Sequence, residues 1–232
     1  MSSFFSLDSP IMRFLSRVCD LMILNLMTIV CCIPIVTAGA SLTALYTITL
    51  KMVRGEEAYI FKGFLKAFKE NFKISTIVWL IMLVVGIFFY IDFQAAKILP
   101  GNMSNIFKVL IGAVSVFYVM ILSYIFAYIA RFENNLKNTF KNAMLISILN
   151  LPYTLLIILL PVALVIITLL TATTLVYGSM LWILLGFSCV AYVQSMMFRK
   201  VFAKYEPSAE TPENPDAYVV PEELPETEEK KN

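Results

Sequence analysis

Three uncharged amides, Asn25, Asn150 and Gln194, stand inside apolar stretches of this chain, where each carries two donors and an acceptor that hydrocarbon cannot satisfy. Such groups bridge neighbouring helices, or they coordinate a polar solute such as a sugar through the same valencies. They are the candidate substrate-binding residues, with helix bridging the simpler reading. Charged groups at comparable depth are few. Asp20 lies about one turn inside the first expected helix, three residues after Arg17; pairing with that arginine or another base at the membrane surface is expected, rather than proton or ion relay. Asp92, near the far end of the third run, lies within reach of Lys97.

Other chemistry is sparse. The chain has no histidine, which removes His-based acid/base catalysis, Ser-His-Asp triads and the commonest zinc and haem ligation. Cys19, Cys31, Cys32 and Cys189 lie in or beside apolar stretches without metal-knuckle spacing, and read as small packing hydrophobes. No glycine-rich phosphate loop, carboxylate pair or nucleophile beside a base is present. No catalytic residue, metal site or cofactor is expected, and the chain is expected not to be an enzyme.

The elements that must position these residues are membrane helices. The composition is 59% hydrophobic and 15% charged, against about a quarter charged for a soluble domain. Leu21 to Leu50 is free of charge and broken near its middle by Cys31, Cys32, Ile33 and Pro34. A spanning helix needs about 20 apolar residues, so the run reads as a hairpin of two helices, near 14–33 and 38–53. A re-entrant loop is the alternative, and a signal peptide ending at Ala38-Gly39-Ala40 fits less well because a second apolar arm follows. Pro34 marks the break, and Gly39, Ala40, Ser41 and Ala44 form a small-residue patch for close helix approach.

Further spans are expected at 74–96, 106–130, 152–174 (bent near Pro161) and from just after Tyr177-Gly178-Ser179 to about 198. Lys62, Lys66, Lys69 and Lys73 against Phe61, Phe64, Leu65, Phe68 and Phe72 read as an interfacial amphipathic helix. Leu136, Phe140 and Met144 repeat Phe64, Phe68 and Phe72 at a constant offset, which suggests two related units. Asn150-Leu151-Pro152 reads as a helix restart, with Asn150 capping and Pro152 in the first turn. The predicted fold is therefore all-α, a polytopic transmembrane bundle of about six spans with interfacial amphipathic helices.

Charge sets the orientation. Six spans leave only Lys97 and Lys108 opposite the other bases, which puts both termini on the cytoplasmic side of a plasma membrane. The basic excess suits a cytoplasmic leaflet carrying anionic lipid rather than nucleic acid. The lipid bilayer is thus the expected partner, and nucleic acid is not. Residues 1–205 form the bundle, and 206–232, rich in Glu and Pro, read as a disordered acidic tail, solvated or docking a cytoplasmic partner.

Arg13-Phe14-Leu15-Ser16-Arg17 through Asp20-Leu21, Asn25-Leu26, and Cys31 through Tyr46 (CCIPIVTAGASLTALY) resemble the signature of the YesL family, with further matches at Arg131-Phe132-Glu133-Asn134, Lys141-Asn142-Ala143 and Asn150-Leu151-Pro152. Asp20, Pro34, Gly39, Ser41 and Pro152 are its structural positions. The resemblance implies a polytopic bacterial plasma-membrane protein of uncharacterised function, commonly associated with genes for carbohydrate uptake and use. It brings no catalytic residues, and the acidic tail departs from it. The expected role is an accessory or regulatory component acting by contact with a transporter or sensor membrane protein; the alternative is a small-solute permease.

Overall fold

The computed structural model describes residues 10–98 and 102–206. Those residues are helical, without strands, and six of the helices are long and apolar enough to cross a membrane. In order the helices are α1 (Pro10–Cys32), α2 (Ala38–Arg54), α3 (Ile60–Ile98), α4 (Asn102–Ile129), a short α5 (Leu136–Leu149) that is not among the six, α6 (Leu151–Leu169), and α7 (Ala172–Leu181), which continues through a π-helical turn (Trp182–Gly186) into α8 (Phe187–Phe202). The turn expected around Pro100-Gly101-Asn102 includes residues outside those described, as does the acidic tail beyond Glu206.

The break in the first apolar run reverses the chain. α1 stops at Cys32, and Pro34 is extended at φ −73°, ψ 114°. The Thr37 hydroxyl donates to Cys31 O (2.7 Å) and Pro34 O (2.9 Å), satisfying a carbonyl that the end of α1 leaves open. α2 then runs back through the centre, its Ala40, Ala44, Leu45 and Ile48 buried, and packs on α1, α3, α4 and α8. Gly39 lets α3 come close. A Cβ placed there would lie 2.5 Å from both Ser75 O and Trp79 Cβ. At the other end Gly55, at φ 75°, turns the chain out of α2. Guanidinium groups of Arg17 and Arg199 donate to Met52 O and Val53 O, each at 2.9 Å, and so serve the carbonyls and negative end of that helix.

α3 differs from expectation. The amphipathic stretch 61–73 and the third span form one helix of 39 residues, about 58 Å long. The shift in composition at Ile74 brings no proline, so nothing interrupts the hydrogen-bond ladder there. Nor does the aromatic face of that stretch turn wholly to headgroups: Phe64 is fully buried among Leu24, Ala44, Leu45 and Ile48. At the stretch expected to repeat it, the corresponding segments are separate. α5 and α6 part at Asn150, with Pro152 in the first turn of α6, where its ring cannot continue the preceding helix. Met144, Leu145, Ile148 and Leu149 of α5 stay exposed, an apolar face suited to the membrane interface.

The turn between the last two spans also lies elsewhere. It falls at Leu170 and Thr171, not at 177–179. Thr171 Oγ1 accepts from Thr174 N (3.1 Å) while Thr174 Oγ1 accepts from Thr171 N (2.9 Å), a reciprocal cap that starts α7. Gly178 is inside α7, where a Cβ would lie 2.7 Å from Thr168 Cγ2 of α6; its role is close helix approach. Val84, Ile87, Phe88 and Ile91 of α3, and Leu155, Leu159, Val162 and Ile166 of α6, form exposed apolar faces, as a hydrocarbon surround requires.

Candidate functional site

The polar residues of the spans meet along the seams of α2 and α8. Thr43 and Ser75 hydroxyls share a 2.8 Å hydrogen bond between α2 and α3, and Thr49 and Ser195 share another of 2.8 Å between α2 and α8. Ser41 Oγ donates to Thr28 O (2.9 Å), tying α2 to α1. Tyr124 and Thr154 hydroxyls join α4 to α6 at 2.9 Å. Each is a bond across helices in a region without water to compete, worth about 0.6 kcal/mol on average by double-mutant cycles.

The three amides belong to this network in different ways. Asn25, fully buried on α1, donates from Nδ2 to Trp182 O (3.1 Å) and Ile183 O (2.7 Å), and its Oδ1 accepts from Ser188 N (3.0 Å). These are backbone groups of the π-helical turn and its exit, where an inserted residue disrupts the ordinary i to i+4 pairing. Gly186 makes room in that turn for the Trp182 indole, which a Cβ would meet at 2.5 Å.

Gln194 does the corresponding work for a proline. Its Nε2 donates to Ile157 O (2.9 Å) and its Oε1 accepts from the Tyr46 hydroxyl (2.6 Å). Ile157 stands four residues before Pro161, so its carbonyl faces a position with no N–H to offer. The Gln194 amide supplies the missing donor from α8.

Asn150 lies apart, toward the basic end of the bundle. Its Nδ2 donates to Ile146 O (3.0 Å) and to the Tyr205 hydroxyl (3.0 Å), while Lys204 Nζ donates to its Oδ1 at 3.4 Å. The side chain does not cap α6 as the sequence pattern implied; the main-chain carbonyl of Asn150 accepts from Thr154 N instead (3.0 Å). No ion pair forms between Arg17 and Asp20 or between Lys97 and Asp92. Arg17 turns to Met52 O rather than to Asp20, although both line a small cavity at the basic end. Lys97 donates to Gln94 Oε1 (2.8 Å) and sits over the Phe93 ring, not on Asp92.

Between α2, α3, α4, α6 and α8 lies a cavity of about 580 Å³. Tyr46, Trp79, Phe126, Trp182 and Phe187 contribute aromatic surface to it, and Gln194 and Ser123 its polar groups. Trp79 Nε1 donates to Ile35 O (2.7 Å) and Trp182 Nε1 to Thr168 Oγ1 (3.0 Å), which fixes both indoles. Gln194 thus reaches the cavity while Asn25 and Asn150 do not line it. The aromatic residues are absent from the sequence-derived candidates because aromatics in apolar spans look like ordinary packing; the signal available was Pro161, whose orphaned carbonyl demands a donor.

At the basic end, Glu206 joins two helix exits. Its Oε1 accepts from Arg131 Nε (2.7 Å) and lies 3.4 Å from Arg54 Nη2, while Arg54 Nη1 reaches Glu56 Oε1 at 3.5 Å. The hydrogen bond and charge of Arg131 hold the Glu206 carboxyl below its ordinary value, with Arg54 adding to the effect. The Glu- and Pro-rich stretch expected to be disordered from residue 206 therefore begins with a residue anchored to the bundle.

No curated protein and no solved structure matches the chain. Residues 21–93, from the middle of α1 into the C-terminal half of α3, match the family model described as Protein of unknown function, DUF624.

Proposed function

We propose that the protein is a multi-pass component of a bacterial plasma membrane that acts by contact, as an accessory or regulatory partner of a carbohydrate transporter or its sensor, with both termini cytoplasmic. The observation that carries this reading is the occupation of the membrane-embedded amides: Asn25 serves the π-helical turn and Gln194 serves the carbonyl opposite Pro161. Polar groups so placed hold an irregular bundle together and leave little for a hydrated sugar to exchange its water for. The carbohydrate link rests on the resemblance to the YesL family within the stretch that matches the DUF624 model. The reading assigns the chain no catalytic step.

The contact surface is the basic arm of α3, where Lys62, Lys66, Lys69 and Lys73 are exposed. A photo-crosslinking residue at Lys69, compared with one at lipid-facing Leu159, tests it in cells growing on the relevant sugar. Transporter or sensor subunits crosslinked from Lys69 and not from Leu159 are expected; equal yields from both sites, or none, would count against contact at the arm.

A permease reading has one observation in its favour, the aromatic cavity reached by Gln194. Aromatic faces with an amide beside them suit a sugar ring. Uptake of a candidate sugar by liposomes holding the purified chain, lost in Gln194→Leu, would replace the accessory reading.

A further inference from the structure

A second cavity, of about 430 Å³, opens at the basic end between the exit of α2 and the start of α3. Its floor is apolar, made by Ile48 and Gly63, and its walls carry Lys51, Lys62 and Lys66 with the Tyr59 ring. Gly63 sets the depth of the floor: a Cβ there would lie 2.9 Å from Ile48 Cδ1. Lys66 has Glu70 at 3.8 Å on its own helix, whereas Lys51 and Lys62 make no ion pair among the described residues. Glu57 also lines the cavity, which leaves the lysines in excess.

Position decides what such a cavity takes. Lys51 ends the second span and Lys62 opens the arm of α3, so the lysines stand where hydrocarbon gives way to headgroups. Exposed Phe61 and Tyr59 lie beside them. Cationic walls over an apolar floor at this level match the phosphate and upper acyl region of an anionic phospholipid, and basic pockets beside spanning helices bind such headgroups. Free sugar phosphates share the phosphate but have no use for the apolar floor.

We propose that this cavity is a binding site for an anionic phospholipid, with Lys51, Lys62 and Lys66 on the phosphate and Ile48 and Gly63 beneath it. The inference rests on the placement of the basic end at the cytoplasmic leaflet and not on a protein partner, so a chain that binds lipid and crosslinks to no protein would retain this site and lose the contact reading.

The test is native mass spectrometry of the full chain released from detergent, titrated with phosphatidylglycerol, phosphatidylcholine or glycerol phosphate. Phosphatidylglycerol is expected to be retained over phosphatidylcholine, with about a fivefold loss for each of Lys51→Gln, Lys62→Gln and Lys66→Gln and none for Lys97→Gln on the opposite side. Gly63→Leu, which fills the floor without changing charge, is expected to lower retention as well, and melting temperatures matching the parent's show that the loss is of the site and not of the fold. Equal retention of phosphatidylglycerol by the triple lysine variant and the parent, or binding of glycerol phosphate as strong as that of the lipid, would overturn the proposal.

Discussion

Gln194 on α8 donates to the carbonyl of Ile157 on α6, 2.9 Å away, at the one point in that helix where Pro161 removes the usual donor. The proline of one span is thereby tied to a side chain of another. A proline in a lipid-facing helix is tolerated when a neighbour re-satisfies the freed backbone group, and here the neighbour is identified.

The pair should be energetically coupled. Gln194→Leu is expected to cost about 1–3 kcal/mol in the parent, since it leaves Ile157 O and the Tyr46 hydroxyl without partners. In a Pro161→Ala background, where residue 161 offers its own N–H, the same change should cost clearly less. Unfolding in mixed micelles across the four variants measures the difference, and equal costs in both backgrounds would dissociate the two residues.

Asn25→Leu should destabilise by a similar amount, because Trp182 O, Ile183 O and Ser188 N lose their side-chain partner together. Hydrogen exchange at 182–188 should rise selectively. Protection unchanged in that segment would show that the π-helical turn does not depend on the amide.

Gly39→Ala tests the closeness of α2 and α3. The added methyl would meet the main chain at Ser75 O at 2.5 Å, and backbone cannot rotate away as a side chain does. A loss of about 1–3 kcal/mol is expected, read as a lowered melting temperature in detergent. Gly112→Ala, with nothing within 4 Å of its built Cβ, is the matched control and should be neutral or mildly stabilising.

Acid should release Glu206. Because Arg131 and Arg54 lower its pKa in the folded chain, the contribution is complete at pH above the unfolded value of about 4.3 and fades as pH falls through the lowered folded value. The melting temperature of the parent should exceed that of Glu206→Gln at pH 7, by a small margin for so exposed a pair. Below the carboxylate range the two should converge; a constant difference down to that pH would deny the ion pair any part in it.

The spans were legible in the sequence because apolar length is a direct consequence of bilayer thickness, and the hairpin because Pro34 and the small residues after it interrupt that length. Two boundaries were not. Composition changes at Ile74 without any residue that stops a helix, so α3 runs on; and Thr171 with Thr174 makes a cap whose threonines look like ordinary span residues, while Gly178 imitates a turn. The amides were legible as polar groups needing partners. Their partners were not, since only the fold brings Gln194 beside Ile157 and Asn25 beside Trp182, 157 positions away.

An unbroken α3 makes the basic arm and the membrane span one rigid lever. Its first 14 residues continue the helix for about 21 Å ahead of Ile74 and are seated on α2 through the buried Phe64 and Ala67, so a change of span tilt is passed to α2 through that contact. Anything that thins the bilayer, or reseats α3 against α2, is thus converted into displacement of Lys62 and its neighbours without any local rearrangement among them. At the stretch expected to repeat this one, the helix is interrupted at Asn150, and the Thr154 hydroxyl bridges the break by donating to Ser147 O (2.7 Å). One basic segment is thus continuous with its span, and the other is joined to it by side-chain bonds across a break.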